Sequence, residues 1–120
     1  MQKVSLTALS RHQLEIAKGA SSGRSAQTVY GGHEHILRQT MIALRAGTKL
    51  QEHENPGEAT LHVLHGRVTL IGPEAQWNGS PGDLMFIPDA AHSVEAVHDS
   101  VVVLTVAKLP LSPDMTSPRA

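Results

Sequence analysis

Histidine is the one side chain this sequence carries in excess, with eight in 120 residues and no cysteine. Imidazole is the commonest protein ligand for metals and the side chain that titrates near neutrality, so position decides which use each ring serves. Without thiolates, any metal here must be held by imidazole, carboxylate or amide oxygen. Two segments bring such groups together. One runs from Gly47 to Gly66 and contains His53-Glu54-Asn55 and, past Pro56-Gly57, Glu58; the other runs from Gly82 through Pro88 to His92. In an extended chain side chains alternate, so His53 and Asn55 share one face and offer two potential ligands from one edge. His33 and His35 share a face in the same way. Neither His33-Glu34-His35 nor His53-Glu54-Asn55 has the spacing that puts two histidines on one face of a helix, as a metalloprotease requires. A glycine-rich phosphate loop and a nucleophile elbow are both absent from the sequence.

The elements that must position these groups are mostly strands. From Gln27 onward, short runs of Val, Ile, Leu and Thr are broken by glycine or proline at intervals of roughly ten residues. The pattern predicts strands near Ala26–Tyr30, Leu37–Arg45, Lys49–His53, Ala59–Leu64, Arg67–Ile71, Ala75–Trp77, Asp83–Ile87, His92–Val97 and Val101–Ala107. Gly47, Pro56-Gly57, Gly66, Gly72-Pro73, Asn78-Gly79, Pro81-Gly82 and Pro88-Asp89 supply the reversals. Successive strands with no helix between them imply a sandwich or barrel. Ahead of them, Ser10–Lys18 reads as a short helix: Ser10 and Gln13 form a capping box, Leu9 and Leu14 a hydrophobic staple, and Gly19 the C-terminal stop. The chain thus divides into an N-terminal helix and connector (1–25), one β domain (26–108) and a proline-containing tail (109–120).

These two segments resemble the paired motifs of the cupin superfamily. The first cupin motif reads Gly, five residues, His, one residue, His, three or four residues, Glu, six residues, Gly; Gly47, His53 and Gly66 fit it. The second opens Gly, five residues, Pro, and later reaches His and Asn; Gly82 and Pro88 fit, and His92 falls one residue early. The similarity spans roughly residues 36 to 107. It implies an all-β fold, a single cupin barrel (double-stranded β-helix, or jelly roll) carrying a short N-terminal helix. The departures bear on function: Asn55 stands at the second histidine, Ala59 at the glutamate with Glu58 one residue away, and Ala96 at the final asparagine.

What the resemblance leaves as metal ligands is His53, His92 and Glu58, the last ranked above Asn55 because a neutral amide oxygen is a weak donor to transition metals. The Pro56-Gly57 turn is expected to let Glu58 swing inward. Two imidazoles and one oxygen can hold Fe, Mn, Ni, Cu or Zn with positions open for water or substrate. The chemistry implied is that of an oxygenase, isomerase or decarboxylase acting on a small organic molecule, the ion serving as Lewis acid or dioxygen platform. Met85, Phe86 and Met41 are candidate cavity residues; Glu58 and His92, with Gln39 and Glu34 behind them, are candidate acids or bases. Counting from Ala59, which the resemblance places inward, Leu61 and Val63 face the barrel and His62 faces away. His62 and His65 are therefore read as surface residues, His12 and His98 as solvated, and His33 and His35 as groups that could fold over a barrel mouth. Two rival readings are a metal-free cupin that binds or senses a small molecule, and a barrel whose role is its oligomer.

Composition narrows the partners. Trp77, Tyr30 and Phe86 are the only aromatic residues, the net charge is −1, and no dense run of Lys or Arg exists, which argues against nucleic acid. No stretch approaches the roughly 18 apolar residues of a membrane span, and the opening MQKVSLTALSRHQ lacks a secretory signal's apolar segment, so a soluble cytoplasmic protein is expected. A homodimer is expected from the resemblance and from the frequency of two-fold assemblies, with exchange of the N-terminal strand as one way to cover a sheet edge.

Overall fold

The computed structural model describes residues 2–52, 57–88 and 90–108. Helix α1 spans Leu6–Gly19, and the strands are β1 Arg24–Gly31, β2 Leu37–Leu44, β3 Lys49–Glu52, β4 Gly57–His65, β5 Val68–Ile71, β6 Gln76–Gly79, β7 Leu84–Phe86, β8 His92–Ala96 and β9 Ser100–Lys108. Each strand falls within about two residues of where alternation and turn chemistry put it. Two antiparallel sheets form, ordered β1-β2-β9-β4-β7 and β3-β8-β5-β6.

Alternation along the strands divides the apolar residues between two cores. Ile42 and Leu44, Leu61 and Val63, Val68 and Leu70, Val94 and Ala96, Met85 and Val102 fill the space between the sheets. The odd partners on β2 and β9, Met41, Ala43, Val101 and Val103, point the other way and are buried with Ala17, Leu9 and Leu14 of α1. The helix is a lid on the outer face of the five-stranded sheet, and it hides a second small core there. Met41, expected to line the cavity, belongs to this second core because it sits one residue out of phase with Ile42.

The helix begins earlier than its sequence suggests. Ser5 is the N-cap, its Oγ accepting from the Ala8 amide at 3.2 Å, so Ser10 lies inside the helix and the expected Ser10–Gln13 box does not form. Gln13 instead faces the sheet, 4% exposed. Its Nε2 donates to Gln27 Oε1 at 2.9 Å, and the Ser25 hydroxyl lies 2.7 Å from its Oε1. Leu9 packs on the sheet one turn before Gln13, so Leu9 and Leu14 are sheet contacts rather than a staple. At the other end, Arg45 Nη1 donates to the carbonyls of Lys18 and Ala20, both at 3.0 Å, satisfying acceptors that a helix terminus leaves over. The helix thereby holds β1 down, and β1 pairs with β2 of its own chain from Arg24↔Leu44 to Gly31↔Arg38 around one bulge.

The register defines two ends. At one lie the turns through Gly47, Gly66 and Gly82; at the other lie the β1–β2 loop, the start of β4, and the approach to β8. No helix of the described residues is long and apolar enough to cross a membrane.

Candidate functional site

His92 opens β8 at this second end. It shares the inward row of Val94 and Ala96, which line the inter-sheet core, and is itself buried at 6% exposed. Its Nδ1 lies 2.9 Å from the Ala90 carbonyl. A carbonyl can only accept, so that contact puts the proton on Nδ1 and makes Nε2 the basic ring nitrogen of the neutral imidazole. In the ladder, His92 stands opposite Glu52, and Val94 opposite Leu50.

The wall facing β8 is built by β4, β9 and β2. On β4, Ala59, Leu61 and Val63 are buried while Glu58, Thr60 and His62 alternate outward. Glu58 is exposed on this outer row, so the structure does not bring it to the face that His92 occupies. The expected inward swing fails for a local reason: β4 already starts at Gly57, and the pleat assigns Glu58 its side before any turn can redirect it. Ala59 holds the inward place instead. Across the sheet, Ala59 pairs with Val106 and Val106 with Arg38. The alternation that turns Ile42 and Leu44 inward therefore puts exposed Arg38 at the mouth of the same wall. Arg38 was not among the candidates from sequence; counting β2 in steps of two back from Ile42 would have found it.

His53 and Asn55 lie outside the described residues. Among the described residues, no group of three His, Asp or Glu stands together as a metal site would require. His33, Glu34 and His35 are exposed in the β1–β2 loop. That loop is tied by Lys108, whose Nζ donates to the carbonyls of Gly32 at 2.9 Å and His33 at 3.3 Å, and the His35 ring meets Tyr30 edge-on at 5.6 Å. Gln39 donates to Thr105 Oγ1 at 3.2 Å on the helix-bearing side of the sheet, away from the interior. His62 faces outward as expected, and His65, His12 and His98 are exposed. Of the proposed cavity residues Met85 is in the core, whereas Phe86, next in the pleat, is 78% exposed on the outside.

No protein-family model matches the chain, and no curated protein does. Solved structures do match. A cupin superfamily protein from Desulfitobacterium hafniense aligns over 91% of this chain and 94% of its own with a TM-score of 0.71 at 11% identity. The chain has the cupin fold. An RmlC-like cupin from Desulfovibrio desulfuricans matches at 25% identity and a TM-score of 0.61, covering 70% of this chain and 81% of that one. A salicylate 1,2-dioxygenase from Pseudoaminobacter salicylatoxidans matches at 19% identity and 0.66, over 84% of this chain but 32% of its own.

With the cupin motifs laid on the fold, their glycines have a shared cause. Gly47, Gly66 and Gly82 all adopt positive φ, at +88°, +83° and +96°, where a side chain is strained. The matching glycines turn the chain, whereas the departures at Asn55 and Ala59 fall at positions that the resemblance gives to ligands.

Proposed function

We propose that this cupin holds a divalent metal ion between its sheets through His53 and His92, and that it binds or transforms a small organic molecule there. The observation that carries the reading is His92: a buried imidazole on an interior wall, its Nδ1 anchored on a backbone carbonyl, is the arrangement that orients a ring for ligation through Nε2. Iron, manganese, nickel or zinc suits such a set, and water and substrate fill the remaining positions. Glu58 is left out of the ligand set because it faces outward. The ion supplies Lewis-acid or dioxygen-platform chemistry, and the reaction is an oxygenation, isomerisation or decarboxylation. Arg38 on the same wall favours a ligand bearing a carboxylate, which makes small aromatic and aliphatic acids the first screen. The protein works as a cytoplasmic homodimer.

A second reading, a metal-free binder or sensor, is favoured by one specific feature: Ala59 occupies the place where cupins carry their ligand glutamate. Elemental analysis of untagged protein purified without added metal or chelator separates the two. Near-stoichiometric metal in the wild type and in Glu58→Gln, lost in His53→Ala and His92→Ala, is the expected result. Protein that stays empty after incubation with iron, manganese, nickel and zinc overturns the metal reading and leaves the binder.

A further inference from the structure

The outer face of the five-stranded sheet carries a cleft that the interior site does not use. Helix α1 packs on β1 and β2 and only grazes β9, so a strip of sheet from Val101 to Leu64 runs out past its flank. Leu6 and Leu14 from the helix and Leu64 and Val101 from the sheet make an apolar floor, and the cavity above it holds about 330 Å³. That is the size of a small-molecule site. The cleft lies beside the Gly66 turn, whereas His92 lies between the sheets at the opposite end.

Polar groups converge on this floor from both walls. β4 is bulged here: Val63 pairs with Val102 and His65 with Val101, so Leu64 and His65 together stand opposite one residue of β9. The bulge interrupts alternation, and both side chains line the cleft where a regular strand would present one. From the helix come Thr7, Ser10 and Arg11. The Ser10 hydroxyl is half-buried, and its partner is the Met41 sulfur at 4.0 Å, a weak acceptor. Arg11 has Glu15 four residues on, the usual place for a helical ion pair, yet Glu15 lies 3.9 Å from Lys18. Among the described residues, neither Arg11 nor His65 has a side-chain hydrogen bond or ion pair, and no carboxylate lines the cleft.

We propose that this cleft binds a free alkyl monocarboxylate of medium chain length, its carboxylate on Arg11, His65 and Ser10 and its chain along the apolar floor. Guanidinium is always charged and matches a carboxylate with its planar fork, while imidazole and hydroxyl supply further donors. One guanidinium with no second fixed charge suits a monoanion, and the floor between the two walls calls for a hydrocarbon chain. The site is separate from the interior one and stands or falls without it.

Titration of the full chain with octanoate, butyrate and octan-1-ol, followed by ¹⁵N–¹H correlation spectra, gives both affinity and location. Octanoate is expected to shift the amides of Thr7, Ser10, Arg11, Leu64 and His65. Each methylene laid on the floor tightens Kd by up to roughly fourfold, so octanoate should bind at least ~10-fold tighter than butyrate. Octan-1-ol, which lacks the charge, should also bind at least ~10-fold more weakly than octanoate. Arg11→Gln, and Thr7→Trp, which fills the cleft from an exposed position, should each weaken octanoate ~10-fold or more, whereas Arg24→Gln removes the same charge from β1 and should leave its affinity unchanged. Circular dichroism confirms that the variants fold. Octan-1-ol binding as tightly as octanoate, or Arg11→Gln binding octanoate as the wild type does, overturns the inference. Affinity lost in Arg38→Gln but kept in Arg11→Gln places the acid at the mouth near His92 and also overturns it, as do spectra unmoved by octanoate into the millimolar range.

Discussion

Ala59 concentrates the question of chemistry at a single side chain. It is buried on the wall that His92 faces, and replacing it with glutamate would put a carboxylate where cupins carry one. A buried carboxylate without a partner is costly, by roughly 1–3 kcal/mol or more, whereas one bound to a cation is satisfied. Ala59→Glu is therefore expected to lower the melting temperature of the metal-free protein and to recover most of the loss on adding manganese or zinc, as read by thermal unfolding with and without metal. A variant that is destabilised equally in both conditions would show that position 59 lies out of reach of any ion held by His92. At this scale sequence was a good guide to parity and a poor one to ligation. Counting in steps of two put Leu61 and Val63 inside and His62 outside, as found. The same count from the same origin puts Glu58 outside, and the pleat at the start of β4 holds it there.

For the elements, local signals located every strand but misplaced the start of the helix. Ser5 and Ser10 are equally good caps by residue type, and Gln13 completes a box only with the second. What decides is that Gln13 is needed against β1, where Ser25 and Gln27 receive it. Gln13→Ala should cost about 1–2 kcal/mol in urea denaturation, the usual range for hydrogen bonds lost from a buried position. Ser10→Ala should cost far less than a true cap substitution. The Gly66 turn is the stricter constraint. A left-handed residue with a Cβ costs about 1–2 kcal/mol in itself, and here the added atom also meets the Asp99 carbonyl and Ser100. Ser100 is buried and ties that turn, its Oγ accepting from the Arg67 amide at 3.0 Å. Gly66→Ala is thus expected to exceed the left-handed penalty alone, checked by the same denaturation curves.

Taken whole, the molecule has two apolar cores on opposite faces of one sheet, and they serve different ends. The inter-sheet core carries the His92 wall; the outer core fastens the helix. Met41→Ala, in the outer core, should lower stability by about 2–5 kcal/mol as large-to-small core changes do, yet leave the metal content of the folded protein unchanged. Loss of metal in that variant would mean that the two faces are coupled through β2. The division itself follows from the period of a strand: each of β2 and β9 presents one apolar row to each side, so a second layer had to cover the outer row.

Pleat, turn and periodicity act between neighbours a few residues apart, so the strands, the turn glycines and the inward rows of β4 could all be read from the linear chain. The resemblance to cupins rested on these same positions, and the fold bears it out. Contacts between residues far apart in the chain are set by the register of nonadjacent strands, which no local pattern encodes. Hence it took the folded chain to put Arg38 in line with Ala59 across β9, to send Met41 beneath the helix, and to set Arg11 and His65 on the two walls of one cleft. Metal ligation and small-molecule binding belong to this second kind, since each needs several side chains from separate elements at one point in space.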